Sequence, residues 1–451
     1  MPFPKKELYI PIEIKPRELL SRILLGGIFA QNHYRVYIAS KSIIDRAIKH
    51  REESSGTYFF KSGSARKDAY KVRDKVELYC VLDEEIGVAI KDADLEAAIK
   101  IRAKTISTID FWFSASNHIT SAFREVWPDY QSRVITTGWP KFDLWKKRFE
   151  HIYEPKSLSL KQKYGSFILF SSDFGFLDNI FLEKEIKKQV NQNIKNSLDS
   201  SGWTKRCRDA FKDFNLFCED LISYDKLPHC IPIIIRPHPG ENQHVWYQRL
   251  NGLKNIKVIY EGEISEWLHA SKALLHRGCT TSVQAALSGK PCFFWNPTNS
   301  NSTHEYQLLP YALSVKVESC SDLLKNHNIW KKDGLHFLPI ENTSERICFP
   351  EKQLSSELIF ETVNNKASKR TDYPLKIPLS LFLYAGASQL LLILVWKISL
   401  LRILFSSHRK IRKLQNGIHA YEVNNYLDKF FPGEDLIAVE IAPGLVCIEK
   451  T

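Results

Sequence analysis

Two doubly wound α/β domains in tandem, followed by a helical tail, are the fold class the sequence predicts, on three observations. Strand-like and helix-like stretches alternate almost from the first residue, as they do where helices cover both faces of a parallel sheet. The alternation stops at a polar connector around residues 150–163 and then restarts. At 451 residues the chain is also too long for one ordinary core. Two such Rossmann-like domains present ligand-facing loops at the carboxyl ends of their strands, here expected to face each other across a cleft. The expected boundaries are 1–155, 156–365 and an extension over 366–451.

"ELYIPIEI" opens the first domain as a strand, and "PRELLSRILLGGIFAQNH" follows as a helix with Pro16 in its first turn. "YRVYIAS", "GTYFFKS" and "VELYCVLDEE" are further strands. "DADLEAAIKIRAK" reads as a helix, "DFWFSAS" as a strand, and "NHITSAFREVW" as a helix capped by Asn117. "SRVITTGWP" closes this half and "KFDLWKKRF" leaves it as a helix. In the second domain "SFILFSSDFGF" is a buried strand running into a small-residue turn, and a polar helical region covers roughly 180–225. "CIPIIIRPHPGE", "HVWYQRL", "IKVIY", "ISEWLHAS", "KALLHRG", "TTSVQAALSG" and "PCFFWN" then alternate strand and helix, and "YALSVKVES" and "SDLLKNHNIW" continue the layer. The tail differs. Residues 381–396 are uncharged and mainly apolar, sixteen positions where a bilayer span needs about 20. An apolar helix over 381–405, followed by a basic run, is expected to pack on the second domain as a core helix, lie at or re-enter a membrane surface, or cross it. "AVEIAPGLVCIEK" ends the chain as a strand hairpin.

The net charge of +12 favours an anionic partner, and no nucleic-acid-binding signature accompanies it. That leaves acidic lipid or a phosphorylated small molecule. The nine cysteines are scattered and never spaced as CxxC, which excludes a zinc ribbon and a disulfide framework and fits a reducing cytosol. The amino terminus lacks the apolar stretch of a secretory signal. A cytoplasmic location, peripheral on the inner face of the membrane, is the expectation.

Four stretches carry residue types suited to chemistry. In "VLDEEIG", Asp83, Glu84 and Glu85 follow an apolar strand, where crowded carboxylates suit proton transfer or nucleophilic attack on an anomeric carbon, or merely cap a helix. In "IIIRPHPGE", Arg236, His238, Pro239, Gly240 and Glu241 sit between a strand and a helix amino terminus, a position that suits a phosphate or simply ends the strand. In "LLHRGCTTSVQAALSGKP", His276 ends a strand and Thr280, Thr281 and Ser282 open a helix; capping explains one hydroxyl but hardly three. In "FSSDFG", Ser171, Ser172 and Asp173 could touch phosphate or an acceptor sugar, or cap the next helix.

In order, "IPIEIKPREL", "DEEIG", "TTGWPKFDLW", "SSDFGF", "RPHPGE" and "HRGCTTSVQAALSGKP" resemble the bacterial surface-carbohydrate biosynthesis proteins related to retaining β-Kdo transferases. They are similar more broadly to CMP-sugar-using, sialyltransferase-like enzymes of the two-Rossmann GT-B type. Each motif alone is weak; six in one order over residues 8–300 are specific. Three departures stand out: Ile86 delays the glycine to Gly87, Lys141 replaces an arginine, and Asp173 replaces an asparagine.

The resemblance implies a glycosyltransferase that moves Kdo or a related ulosonic acid from a CMP donor to a growing surface glycan or lipid-linked acceptor. It places CMP on His238, Pro239, Thr280, Thr281 and Ser282 and the catalytic carboxylate among Asp83, Glu84 and Glu85. No metal and no cofactor are expected, and no nucleic acid. The alternatives are a CDP-glycerol or UDP-sugar transferase or epimerase, and a non-catalytic membrane assembly protein on the same fold.

Overall fold

The computed structural model describes residues 5–61, 70–84, 99, 103–174, 200–238, 241, 243–297, 308–325, 345–368, 374–398 and 413–451. The chain divides into two compact units, Met1–Ile152 with Glu341–Thr451, and Tyr153–Ile340.

The first unit is built on an eight-stranded sheet. Its parallel part comprises β1 (Glu7–Ile12), β2 (Arg35–Ser40), β3 (Thr57–Phe60), β4 (Leu78–Val81), β5 (Phe111–Ser114) and β6 (Val134–Thr136), in the order β2-β1-β3-β4-β5-β6. Strand order reverses between β1 and β3. Helix Lys15–Gln31 follows β1 and packs on it and on β2. Helix Asn117–Val126 begins at the expected cap itself, so the true N-cap lies one residue earlier: it is Ser116, its hydroxyl accepting from the Ile119 amide at 3.3 Å. "KFDLWKKRF" forms a short helix, Pro140–Asp143, and a separate 3-10 turn, Lys147–Ile152, in place of one continuous helix. The helix expected in "DADLEAAIKIRAK" falls almost wholly outside the described residues.

The tail is part of this unit. Its closing hairpin, the 7-residue β13 (Leu436–Ala442) and β14 (Leu445–Lys450), adds β14 antiparallel to β2. Without it β2, buried along its whole length, would expose an unpaired edge, which invites aggregation. Buried charge fixes the junction. Arg35 Nε donates to Glu449 at 2.5 Å, and the buried Glu7 beside it takes Tyr9 at 2.5 Å, Tyr37 at 3.0 Å and Arg51 at 2.6 Å. Helix Ser355–Lys366 packs on Lys15–Gln31. The extension over 366–451, with the stretch before it from Glu341, belongs to the first unit, which is made of both ends of the chain.

The second unit holds a six-stranded parallel sheet, with β7 (Ile168–Ser171), β8 (Ile233–Arg236), β9 (Ile256–Val258), β10 (Ala273–His276), β11 (Cys292–Trp295) and β12 (Val315–Val317) in the order β12-β11-β10-β7-β8-β9. Counted from β7, this is the 3-2-1-4-5-6 order of dinucleotide-binding sheets, with its reversal between β7 and β10. The alternation of each strand fills two apolar layers. Ile168, Phe170, Ile233, Ile235 and Leu275 face helix Ser200–Asp225 and Trp246, whereas Phe167, Leu169, Ile234 and Leu274 face Leu160, Trp267 and Ala285. Burial on both faces is why these strands read as unbroken hydrophobic runs. The connector around 150–163 is not a loop but helix Glu154–Tyr164, ended by Gly165. Of the polar region over 180–225, the described part is helix Ser200–Asp225. The described cysteines are all free thiols.

Candidate functional site

In the second unit the loops after β7, β8 and β10 leave three adjacent strands at one edge of the sheet, because Ser171 pairs in register with both Arg236 and His276. The hub is the Ser171–Ser172 pair. Ser171 Oγ donates to Thr281 Oγ1 at 3.2 Å and lies 3.3 Å from Cys279 Sγ, which ties the β7 loop to the β10 loop. Ser172 Oγ donates to Glu241 Oε1 at 2.7 Å, which ties it to the β8 turn. The sequence-predicted stretches "SSDFG", "RPHPGE" and "CTTS" are thus brought together at the strand-order reversal, where open α/β sheets bind their ligands.

Within those stretches the side chains divide by direction. Thr280 is exposed and precedes helix Thr281–Leu287 without making a side-chain cap, so its hydroxyl is not committed to the helix. Thr281 is half-buried. Ser282 points inward, its hydroxyl donating to the Cys279 carbonyl at 2.8 Å. Gly278 turns the chain at φ 129°, a conformation that favours glycine. His238 is exposed after the buried Pro237, and its carbonyl accepts from the Glu241 amide at 2.8 Å, closing the turn. Pro239 and Gly240 lie outside the described residues.

Two residues expected to face a ligand serve the scaffold. Arg236 is 5% exposed; one guanidinium nitrogen donates to the Glu261 carbonyl and the other to that of Gly262 at 2.9 Å. It lies between the rings of Tyr260 and Trp267, and burial draws it down to about 10. Its charge anchors the β9 loop. His276 is fully buried: Nδ1 accepts from the Gly278 amide at 3.0 Å, and Nε2 faces Ser314 Oγ at 2.7 Å, which itself donates to the Pro310 carbonyl. Burial pushes its pKa down to about 3, so it is a neutral ring that shapes the Gly278 turn.

Glu241 is the titratable group at the hub. It takes the Ser172 hydroxyl on one oxygen and the Trp246 indole N–H, at 2.9 Å, on the other, and burial raises its pKa to about 7. The folded-state value lies above the ordinary 4.5, so the protonated form is the one folding favours. Stability from this group is full below about pH 4.5 and is lost as pH rises through about 7, a loss of about 3 kcal/mol. Urea unfolding followed at pH 5 and pH 8 is expected to show that decline, and Glu241→Gln is expected to flatten it.

Arg277, Asp213, Phe174 and Cys279, all outside the expected set, complete the arrangement. Arg277 donates through Nε and Nη2 to Asp213 Oδ2 at 3.1 and 2.6 Å, stands 3.6 Å from Asp173 Oδ1, and lies over the Phe174 ring. It bolts helix Ser200–Asp225 to the β7 loop. Cys279 sits between Ser171 and Thr281, 3.2 Å from the latter's hydroxyl. The signal in the sequence was a cation, Arg277, directly after a buried strand, where it demands a partner.

In the first unit the acidic stretch stands at the end of β4. Asp83 is buried, Glu84 accepts from Arg22 Nη1 at 3.3 Å, and Glu85 lies outside the described residues. Arg22 comes from helix Lys15–Gln31 and is itself buried. After the adjacent β3, Lys61 pairs with Glu18 at 2.8 Å, and Glu18 also accepts the Glu13 amide at 2.8 Å. Glu84 therefore stands beside a cation, where its sequence neighbours alone suggest repulsion. The "TTGWPKFDLW" motif is structural: at Gly138, φ 74°, a Cβ would collide with the Cys348 carbonyl, and Asp143 binds the start of helix Ser355–Lys366.

No protein-family profile and no curated sequence matches the chain. Solved structures do. The UDP-GlcNAc 2-epimerase of Methanocaldococcus jannaschii, in complex with UDP-GlcNAc and UDP, superposes with a TM-score of 0.50 at 13% identity, over 80% of this chain and 100% of that one. The UDP-GlcNAc 2-epimerase of Neisseria meningitidis gives 0.47 at 11%, over 80% and 100%. The wall teichoic acid polymerase TagF gives 0.43 at 11%, over 81% and 90%. At such identity the likeness is one of fold, and it agrees with the strand orders above: the chain carries two Rossmann-like α/β units of the GT-B type.

Proposed function

We propose that the chain is a glycosyltransferase of surface polysaccharide biosynthesis that takes Kdo or a related ulosonic acid from a CMP donor, with a glycan or lipid-linked acceptor. The observation that carries the nucleotide half of this reading is the meeting of three loops at Ser171 and Ser172, at the order reversal of a 3-2-1-4-5-6 sheet. The CMP-ulosonic acid half rests on the six ordered motifs.

The donor phosphate is assigned to the Thr280 and Thr281 hydroxyls, the start of the helix they open, and His238. Arg236, His276 and Ser282 hold these loops in shape instead of touching the donor. In the transfer an acceptor hydroxyl oxygen bonds to the anomeric carbon and gives its proton to the catalytic carboxylate, the bond from that carbon to the phosphate oxygen breaks, and CMP leaves with the negative charge that donors at this edge stabilise. Glu241, with a pKa of about 7 and a hydroxyl partner in Ser172, is a group that exchanges a proton near neutral pH. The catalytic carboxylate is assigned to the acidic stretch of the first unit, where Arg22 orients Glu84. A UDP-sugar donor is the second reading, favoured by the UDP and UDP-GlcNAc held by the M. jannaschii epimerase of like fold.

The test is nucleotide binding and release. CMP is expected to bind in calorimetry more tightly than UDP or CDP, and CMP-Kdo to release CMP when a glycan acceptor is added. Thr281→Val is expected to weaken CMP binding about tenfold, roughly 1.4 kcal/mol. Glu84→Gln is expected to leave CMP binding unchanged and to abolish release. Preferential binding of UDP would establish the second reading, and binding of no nucleotide would overturn both.

A further inference from the structure

Helix Leu379–Lys397 is the one helix among the described residues long and apolar enough to cross a bilayer, yet only 28% of its apolar window is buried. Large apolar side chains lie on every side of it, so only the structure reveals which side is covered. Leu381, Ala385, Gln389, Leu392 and Val395 form one stripe against the first unit. Phe382, Leu383, Leu390, Leu391 and Leu394 lie on the opposite side, exposed, with Leu383 at 61% and Leu390 at 57%.

The covered stripe is attached along its length. The Arg46 guanidinium stacks 4.0 Å from the Tyr384 ring, and the Gln389 amide reaches the Ile418 and Asn416 carbonyls at 3.3 and 3.4 Å. The helix also packs on β13. A crossing helix would have to carry those polar loops into hydrocarbon or tear away from them, and buried amide groups make either costly.

Charge selects what meets the open side. Residues 373–421 contain seven Lys or Arg and no Asp or Glu. Of these, Lys376 and Lys397 are exposed at the two ends of the helix. An apolar face bracketed by cations matches the acyl–headgroup boundary of an anionic bilayer. We infer that helix Leu379–Lys397 is a monotopic membrane dock: it stays bound to the first unit through its Gln389 stripe and lies in the plane of an anionic leaflet, inserting Phe382, Leu383, Leu390, Leu391 and Leu394. The inference is independent of the donor reading, since none of its residues belongs to the nucleotide loops.

Flotation of the full chain with vesicles of phosphatidylcholine and phosphatidylglycerol, mixed two to one, tests it. The protein is expected to float with these vesicles, to bind pure phosphatidylcholine weakly, and to be released from membranes by alkaline carbonate. The triple variant Leu383→Asp, Leu390→Asp, Leu394→Asp alters only exposed positions and is expected to lower partitioning roughly tenfold or more, with CMP binding unchanged. Lys376→Glu with Lys397→Glu is expected to weaken binding to the anionic vesicles alone. Failure to float, retention after carbonate, or a wild-type dimer that the triple variant turns into a monomer would each overturn the inference; the last would mean that a second copy covers this face.

Discussion

Arg277→Leu is expected to lower the unfolding free energy of the second unit by about 3–5 kcal/mol. The guanidinium is buried between Asp213 and Asp173 and stacks on Phe174. Leucine fills much of the space but leaves Asp213, which is 3% exposed, as a buried charge with its closest cation removed. Arg277→Lys retains the charge and forfeits the two-nitrogen contact to one carboxylate, so an intermediate loss is expected. The double variant Arg277→Leu, Asp213→Leu is expected to recover part of the loss, because both charges then leave together. Denaturant unfolding monitored by the buried Trp246, Trp267 and Trp295 of this unit reads the effect. A change below about 1 kcal/mol for Arg277→Leu would place the pair among weak surface contacts and contradict this account of the β7 loop.

The second large effect is expected in the first unit. Asp143 is fully buried and accepts from the Ser355 amide at 2.8 Å, the Ser356 amide at 2.9 Å and the Ser356 hydroxyl at 2.8 Å. It caps, from 212 residues away, a helix whose own N-cap is Leu354. Asp143→Ala leaves those donors buried without an acceptor, and at about 1–3 kcal/mol for each such group the unit is expected to lose about 3 kcal/mol or more. Asp143→Asn keeps one acceptor oxygen and is expected to lose about half. Burial raises the Asp143 carboxyl from its ordinary 3.8 to about 6. Its contribution is therefore present below about pH 4 and lost as pH rises through about 6, and Asp143→Asn should remove that slope. Melting temperatures of the variants at pH 5 and pH 7 check both statements. An unchanged melting temperature for Asp143→Ala would mean that the segment returning to the first unit is held elsewhere.

Much of the fold was legible because the strands are buried on both faces. "IPIIIR" and "SFILF" announce themselves by unbroken apolar runs, and β7, β8 and β10 lie inside the stretches expected. Two stretches differ from the expectation for different physical reasons: helix Glu154–Tyr164 buries only Ser157 and Leu160, too narrow a stripe to show as a period, and the helix expected in "KFDLWKKRF" is broken by the turn after Asp143. The hairpin was visible as a hairpin, but its partner β2 lies some four hundred residues earlier, and pairing at that distance leaves no local mark.

The candidate site was legible as stretches and less so as side chains. Hydroxyl-rich turns after buried strands mark "SSD" and "CTTS", and the structure brings both to one edge of the sheet. Direction was the missing information. Nothing in "LLHRG" distinguishes a histidine that turns inward to Ser314 from one that turns outward, and nothing in "IIIRP" says that the arginine will find two carbonyls on the β9 loop. Arg277 and Asp213 are separated by 64 residues, so their bond was beyond any local pattern.

The most direct measurement is a crystal structure of the chain soaked with CMP. The phosphate is predicted within hydrogen-bond distance of Thr280 and Thr281, on the side of the sheet edge where Ser171 and Ser172 join the three loops. CMP seated away from all three loops, or a phosphate held by residues of the first unit alone, would contradict the account.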